Sequence, residues 1–345
     1  MRIHIAAILC LLAATTLALT GCGGGGNNAP GAASFLYTMS CPNFLLDSTS
    51  INSYPAGVNG ISAPAVSSTP LIASDVGRGV QGDRMGNLYT LSTAEGPSCC
   101  VLTVNVYSAA GGVLTLKRSF NYSNSNVTAT SFTVDPTGIV YVSAAFGTTG
   151  LVGTMLKFAA NASGAATPTI FGGAPGYFFR MATDTAGNLY AYDGGGTVLE
   201  YSAGDTSGMP SKTLNLFAFG TTPIFSNRVA DMAIDSAGNI YLLGQAQTFL
   251  NFISEYSSAA GTTTPMKTIG GLSTLMHNPV ALAVDAAGNI YEEDAPTFTG
   301  AGHSNTILTF SASATGNVAP TNVFVLAATD FNPSFSDVRT GLVAY

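Results

Sequence analysis

The stretch "AIDSAGNIYLLG" at residues 233–244 decides the fold, because the chain contains near-copies of it: "ATDTAGNLYAYD" at 182–193 and "AVDAAGNIYEED" at 283–294. Each copy has an apolar run, an Asp-x-x-Gly-Asn segment and a second apolar run with a tyrosine. Between apolar strands this segment is typical of a hairpin turn, since the Asp carboxylate accepts backbone N–H groups and the Gly takes the left-handed conformation. The spacing lacks the alternating oxygen ligands of a calcium loop, so we interpret the aspartates as turn residues.

The tyrosine of this pattern recurs with a period of about 50 residues, which is typical of propeller blades. The six copies are centred on Tyr37, Tyr89, Tyr141, Tyr190, Tyr241 and Tyr291. Five of them place Asp-x-x-Gly before the tyrosine, at Asp83, Asp135, Asp184, Asp235 and Asp285. An apolar residue followed three positions later by an aromatic one predicts a third strand in each copy. A proline then precedes a fourth segment in five copies, as expected for an edge strand that needs no N–H donor.

Each copy is therefore predicted to form one four-stranded antiparallel blade. The first copy lacks its innermost strand, because a Gly-rich segment leads directly into "SFLYTMS" at 34–40. We expect residues 342–345 to pair beside 35–37, so that the ring closes and no long inner edge stays unpaired. The sequence predicts an all-β, six-bladed β-propeller over residues 34–345, closed by pairing of its N- and C-terminal strands.

The pattern Asp-x-x-Gly-Asn-[Ile/Leu]-Tyr, followed by [Val/Ile]-x-x-[Phe/Tyr], resembles the NHL-type repeat of six-bladed propellers across residues 34–345. The chain departs from that family in lacking a regular Arg in the third strand. Propellers of this type include both hydrolases and pure binding scaffolds, so the resemblance implies a fold and does not transfer a function.

Residues 1–22, "MRIHIAAILCLLAATTLALTGC", combine one basic residue with an apolar run too short to be a spanning helix, which predicts a signal peptide. The last four residues resemble the bacterial lipoprotein box. The resemblance implies that residues 1–21 are removed and that Cys22 carries lipid; the alternative is an ordinary signal peptide that leaves Cys22 a free thiol. Residues 22–33 are then the lipidated Cys and a Gly-rich tether. By the same resemblance, Gly23 after the cysteine favours the outer membrane, so the membrane is contacted through the lipid anchor alone.

Only 8% of the residues are charged, and the formal net charge is -7. An acidic chain with 11 Lys and Arg residues has no basic stripe for phosphates, so nucleic-acid binding is not expected. Export places the remaining cysteines in an oxidising compartment, and these disulfide candidates are Cys41, Cys99 and Cys100. A bridge from Cys41 to one of the pair, a vicinal bridge and free thiols all remain open.

In a propeller, the loops that lead into the inner strands and those that join second to third strands form one rim, which is the default ligand face. The ligand candidates placed there are Arg180, Arg228, Asn278, Asp193, His277 and Tyr177, together with Glu292, Glu293, Asp294 and His303. Tyr177, Phe178 and Phe179 offer aromatic area for stacking. Arg180 and Asp231 occupy equivalent positions in neighbouring copies, which favours an ion pair between blades over substrate binding.

Two functions follow from these residues. The leading hypothesis is a lipid-anchored scaffold that binds a protein or glycan of the cell envelope, without a cofactor and without an identified catalytic residue. The alternative is a calcium-dependent lactonase or hydrolase, since lactonases that share the fold hold one divalent cation with acidic and amide side chains. Glu292 and Asp294, aided by Asp193 and Asn278, would be the ligands, although we expect 291–303 to be a solvated loop. Neither His277 nor His303 has zinc-site spacing, and no triad motif is present.

Overall fold

The computed structural model describes residues 35–40, 50–57, 60–62, 66–67, 75–94, 100–109, 113–124, 127–146, 152–171, 178–216, 229–245, 251–258, 264–295, 305–326 and 342–344. Within these ranges the chain forms 26 strands. Strands β1 to β13 are, in order, Phe35–Ser40, Ser50–Pro55, Gly60–Ser62, Val66–Ser67, Asp75–Gly82, Asn87–Ala94, Val101–Ser108, Thr115–Ser123, Val127–Val134, Val140–Phe146, Val152–Phe158, Gly164–Ala165 and Thr169–Ile170. Strands β14 to β26 are Arg180–Thr183, Leu189–Tyr192, Thr197–Tyr201, Lys212–Asn215, Val229–Ile234, Ile240–Gln245, Asn251–Tyr256, Lys267–Gly270, Pro279–Val284, Ile290–Asp294, Thr306–Phe310, Asn322–Leu326 and Leu342–Ala344.

A 3-10 turn at Leu272–Thr274 interrupts the strands. In the part of the chain that the structure describes, no helix has the length and apolar character needed to cross a bilayer.

The strands form six sheets. Five sheets each contain four antiparallel strands from one stretch of chain: β5–β8, β9–β11 with β13, β14–β17, β18–β21 and β22–β25. Two of them gain a fifth strand, β12 beside β8 and β3 beside β25. The sixth sheet, in the order β26-β1-β2-β4, joins the two ends of the described chain. The protein is an all-β propeller with four-stranded antiparallel blades, as the sequence predicts. The expected pairing of the terminal strands is present, with Leu36 opposite Ala344 and Thr38 opposite Leu342.

The innermost strands contact one another in a closed cyclic order, β5, β9, β14, β18, β22, β26 and again β5. The apolar core lies between the blades. Tyr192 and Leu214 of one blade, for example, pack in one cluster with Met232 and Leu242 of the next. The recurrent third-strand aromatic residues are all buried: Tyr54, Tyr107, Phe158, Tyr201, Tyr256 and Phe310. A sheet that is apolar on both faces needs a neighbour on each side, which explains the radial arrangement.

The repeated aspartates are turn residues, as predicted. Asp235 Oδ1 accepts hydrogen bonds from the backbone N–H groups of Ala237 (2.9 Å) and Asn239 (2.8 Å). Its Oδ2 accepts from Asn239 Nδ2 (2.8 Å) and from the Tyr241 hydroxyl (3.3 Å). The same network surrounds Asp83, Asp184 and Asp285. The repeat of Asp, Asn and Tyr is therefore one hydrogen-bonded unit in each of four blades.

Two faces of the propeller follow from the strand directions. We call the face that carries the Asp-x-x-Gly turns and the third-to-fourth-strand loops the turn face, and the opposite face the rim. Strand β1 begins on the turn face, because Phe35 takes the place that Asn87 takes in the next blade, directly after the turn.

Three third-to-fourth-strand loops reach the outer strand of the preceding blade, and we call these loops straps. Strand β12 pairs in parallel with β8, β3 pairs with β25, and Gly316 bridges to Ile269 of β21. The straps cover edge strands that would otherwise expose unpaired backbone groups.

Candidate functional site

The rim of the blade β14–β17 carries a short Gly-rich hairpin at residues 193–196. Asp193 Oδ1 accepts hydrogen bonds from the backbone N–H groups of Gly195 (2.7 Å) and Thr197 (3.0 Å). Gly194 and Gly196 have φ angles of 81° and 98°, which L side chains rarely adopt. Local hydrogen bonds and two glycines thus fix the backbone here, while the Asp193 side chain stays exposed.

Phe179 lies directly against this hairpin. A Cβ atom built on Gly194 would lie 2.5 Å from Cε2 of the Phe179 ring, so the ring sits where a side chain at 194 would be. The Phe179 N–H donates to the Tyr192 carbonyl (3.0 Å), and Arg180 Nη1 donates to the Phe179 carbonyl (2.6 Å). Phe179 remains 38% exposed. It is therefore an aromatic side chain held on the rim by fixed backbone.

Phe178 is buried, so the expectation that it offers stacking area on the rim is wrong. Its ring packs edge-on against Tyr201 at 6.4 Å, and its N–H donates to Ser143 Oγ of the preceding blade (3.1 Å). Adjacent residues of an extended chain face opposite sides, so Phe178 and Phe179 cannot both face solvent.

A second rim segment, residues 271–278, leads into β22, and we call it the recognition loop. Its Leu272 is 88% exposed, and Leu275 is exposed with a left-handed φ of 64°. The backbone is fixed from several sides: the Ser273 N–H donates to Asn317 Oδ1 (2.7 Å), and Asn251 Nδ2 donates to the Met276 carbonyl (3.0 Å).

Asp294 closes the end of the recognition loop. Its Oδ1 accepts the N–H groups of His277 (3.0 Å) and Asn278 (2.5 Å), and its Oδ2 lies 3.4 Å from His277 Nδ1. The His277 side chain is 66% exposed and Asn278 is half-buried. Burial raises the pKa of Asp294, and the two backbone N–H groups act against that increase. Asp294 thus holds the loop and orients an exposed imidazole.

Glu292 and Glu293 are enclosed within the blade β22–β25. Glu293 Oε1 accepts a hydrogen bond from Asn305 Nδ2 (2.6 Å), and burial raises the pKa of Glu293 to about 7. Glu292 is 0% exposed, and no described residue donates a hydrogen bond to either of its carboxyl oxygens. Burial raises the pKa of Glu292 well above its usual value, and the charges of Asp294 and Glu293 raise it further.

The expectation that 291–303 is a solvated loop is therefore wrong for residues 291–294, which lie in β23 and are buried. Glu292 is opposite Leu282 and Leu308 in the sheet, so it shares their face, and that face packs on Leu243 of the neighbouring blade. Three consecutive acidic residues suggest a solvated segment, but these residues are buried because β23 is paired with a strand on each side.

The lactonase alternative requires a divalent cation. The side chains expected to hold that cation are not arranged as its ligands. The Asp294 oxygens face N–H donors, and Glu292 faces an apolar cluster between two blades. Asp193 uses one oxygen in its hairpin. Among the described residues, no group of three or more His, Cys, Asp and Glu side chains is arranged to hold a metal ion.

Arg180 and Asp231 link the inner strands of neighbouring blades. Arg180 Nε donates to the Ala230 carbonyl of the next blade, and Asp231 Oδ2 accepts the Leu282 N–H of the blade after it (2.8 Å). Burial raises the pKa of Asp231, and the charge of Arg180 opposes that increase. Both side chains connect neighbouring blades through backbone groups. The ion pair between them stays a prediction.

Several predicted site residues lie outside the described residues: Tyr177, Arg228, His303, Cys22, Cys41 and Cys99. Cys100 is disulfide-bonded, and the pairing stays a prediction because the other cysteines are not described. Sequence reasoning did not single out Thr197, Asn215, Leu272 or Leu275. The Gly-rich "DGGG" at 193–196 was a usable signal for the rim hairpin, because consecutive glycines after a strand predict a tight turn.

No family model and no curated protein matches the chain. The fold is similar to that of a periplasmic gluconolactonase from Pseudomonas aeruginosa, PpgL, with a TM-score of 0.51 at 10% sequence identity, over 87% of this chain and 98% of that one. A weaker likeness, with a TM-score of 0.39 at 10% identity, joins 70% of this chain to 62% of Sqt1 from Chaetomium thermophilum, solved bound to the N-terminus of ribosomal protein L10. At these identities the likeness to the gluconolactonase supports the propeller fold alone.

Proposed function

We propose that the chain is a bacterial envelope protein, anchored in the outer membrane by lipid on Cys22, that binds a protein or glycan through its rim and does not catalyse a reaction. The observation that carries this proposal is the recognition loop. It displays Leu272 and Leu275 to solvent on a backbone that side chains of three other segments hold in place.

An exposed apolar side chain on a fixed loop favours recognition. Surface leucines on a mobile segment would lose conformational freedom on binding, whereas a fixed loop pays this cost during folding. The left-handed conformation of Leu275 is unfavourable for a residue with a Cβ, and such conformations are concentrated at functional sites. His277 adds a polar group beside the two leucines.

The position of the tether agrees with a ligand on the rim. Residues 22–33 join the propeller through β1, which begins on the turn face. A lipid on Cys22 would therefore attach the propeller through its turn face, which leaves the rim clear of the attachment point.

We further propose that the composite sheet of β26, β1, β2 and β4 acts as a sixth blade of an NHL-like ring. The cyclic contacts of the inner strands support this arrangement, since β26 lies between β22 and β5. Joining the two chain ends in one sheet then closes the ring by hydrogen bonds.

Binding is tested by sedimentation of the full mature chain, with Cys22→Ala to remove the lipid, against isolated envelope fractions. We expect saturable binding that weakens about tenfold in Leu272→Ser, a change equal to about 1.4 kcal/mol. Met209→Ser is the matched control, because Met209 is also highly exposed but lies on the turn face. Equal loss in both variants, or no saturable binding at all, would contradict the proposed function.

The lipid anchor is tested separately by feeding cells a palmitate analogue and separating their membranes. We expect label in the wild-type chain, which should fractionate with the outer membrane, and neither property in Cys22→Ala. An unlabelled wild-type chain would show that the ordinary signal peptide is the correct interpretation.

Lactone hydrolysis is a second candidate, favoured by the likeness to the gluconolactonase propeller. The test is hydrolysis of glucono-δ-lactone by the full mature chain with calcium and after chelation. Turnover that chelation abolishes and calcium restores would favour this function over binding.

A further inference from the structure

We propose that the rim of the blade β14–β17 binds an uncharged glycan, with the sugar stacked on Phe179 and hydrogen-bonded to Asp193 and Asn215. This inference deepens the proposed function, on which it rests, by assigning a second rim site and the chemical class of its ligand.

The first step is the aromatic surface. One side of the Phe179 ring lies on Gly194, where the missing Cβ leaves room for it, and the remaining exposed surface is available to a ligand. The Gly194 backbone lies against that side of the ring, so the ring cannot move further toward the hairpin. A pyranose ring has one face made of C–H groups, and such a face packs on an aromatic ring that stays in place.

The second step is the set of polar groups beside that ring. Asp193 Oδ1 is used by the hairpin, whereas Oδ2 makes no hydrogen bond to a described residue and is a free acceptor. Asn215 is exposed, and its Oδ1 accepts a hydrogen bond from Thr197 Oγ1 (3.4 Å), while its amide N–H groups make no hydrogen bond to a described residue. A sugar hydroxyl both donates and accepts, so a carboxylate oxygen and an amide N–H together match its chemistry.

The third step is the layout of these side chains. Phe179 precedes β14, Asp193 follows β15, Thr197 begins β16 and Asn215 ends β17, so the four lie on the rim end of four successive strands. Neighbouring strands are about 4.8 Å apart, which makes the row about 14 Å long. A short oligosaccharide lying radially across the blade can reach all of them.

The negative charge of Asp193 favours one class of glycan over another. Asp193 carries the exposed formal charge of the row, and Arg180 is directed to the carbonyls of Phe179 and Ala230. A negative site disfavours phosphates, sulfates and acidic sugars. The site therefore fits an uncharged glycan, and the glycines keep its backbone preorganised.

The chain contains no tryptophan, which allows a direct optical test. Phe179→Trp places a single indole in the full mature chain at the stacking position, and Leu272→Trp places one on the recognition loop as the matched reporter. The probes are maltotriose, cellotriose and chitotriose, with heparin as the charged comparison. We expect a saturable change of emission in Phe179→Trp with at least one trisaccharide, and no change in Leu272→Trp.

Substitutions then test the groups by calorimetry with the same trisaccharide. We expect about a tenfold weaker Kd in Phe179→Ala and several-fold weaker binding in Asp193→Asn, since these remove the stacking ring and the charged acceptor. Gly194→Ala should displace the ring and abolish binding, whereas Met209→Ser, on the turn face of the same blade, should bind normally. Melting temperatures of all variants separate lost binding from lost folding.

The outcomes are distinguishable from those of the proposed function. A response in Leu272→Trp alone, binding of heparin alone, or no trisaccharide binding by a chain that still binds envelope fractions would overturn the glycan site and leave the proposed function standing. Failure of the envelope-binding test, with the trisaccharide still bound at Phe179→Trp, would remove the recognition loop as the ligand site and keep this one.

Discussion

The turn aspartates and Glu292 differ in their hydrogen bonding: the aspartate oxygens accept several hydrogen bonds, whereas the Glu292 oxygens accept none from described residues. Asp285 is 4% exposed and its oxygens accept two backbone N–H groups, the Asn289 amide and the Tyr291 hydroxyl. Glu292, one residue beyond that tyrosine, has no donor among the described residues. A buried charge is tolerated when hydrogen bonds replace water, and it is costly when they do not.

Asp285→Ala should lower the free energy of unfolding by about 3 kcal/mol, because four donors, among them the buried Tyr291 hydroxyl, lose their acceptor. Asp285→Asn keeps one oxygen for the backbone N–H groups and should lie between the wild type and the Ala variant. Urea unfolding of the wild type and both variants measures this order of stability. An Ala variant as stable as the wild type would show that the repeated aspartate does not hold the turn.

Glu292→Gln should stabilise the protein by an amount that grows with pH. Burial raises the folded-state pKa of Glu292, so above its unfolded pKa of about 4.3 the folded chain keeps a proton that the unfolded chain releases. The unfolded state then binds fewer protons, and stability falls as pH rises through this window. Glu293, with a pKa of about 7, adds to the same fall up to that pH.

Unfolding of the wild type and Glu292→Gln at pH 4, 6 and 8 gives the measurement. The difference in free energy of unfolding should be smallest at pH 4 and largest at pH 8. Glu200→Gln is the control, because Glu200 is paired with Lys212 (3.0 Å) and its replacement removes an ion pair. A gain that does not change with pH would contradict the prediction.

At the scale of elements, the hairpins could be predicted from local sequence, whereas the straps could not. The Asp, Gly and Tyr of each repeat are close in sequence and bond to each other, so their pattern was sufficient to predict the turn and both flanking strands. A strap joins Gly316 to a strand of another blade through backbone groups alone, which leaves no side-chain pattern to recognise. The same limit applied to β23, where neighbouring strands bury the acidic residues.

Gly271→Ala should destabilise the protein by about 2 kcal/mol and loosen the recognition loop. Gly271 has a φ of 120°, and a Cβ there would lie 2.6 Å from Asn317 Oδ1, the acceptor of the Ser273 N–H. Gly195→Ala, whose nearest neighbours are 3.5 Å away, is the matched control and should be nearly neutral. Thermal unfolding checks stability, and amide hydrogen exchange at Ser273 checks the loop.

At the scale of the whole molecule, the blades stabilise one another and the terminal strands complete the circle. The sequence predicted this closure from a missing inner strand in the first copy and an extra strand at the far end. The rim could be located by the same reasoning, since strand direction assigns each loop to a face. Which rim side chains are exposed depends on alternation and packing between blades, and Phe178 illustrates the difficulty.

Deleting residues 342–345 should lower the melting temperature by several degrees, because β1 and the two neighbouring inner strands lose their contacts with β26. Deleting 23–26 from the tether is the control of equal length and should leave the melting temperature unchanged. A soluble truncated chain that melts at the wild-type temperature would argue against closure through β26.

Pairing of β26 with β1 also determines when the fold can be completed during synthesis. Strand β1 is made before β26, so a chain that is still emerging from the ribosome lacks the partner that completes the sheet of β1. Full protection of the propeller against proteases is therefore reached only after β26 has left the ribosome and paired with β1.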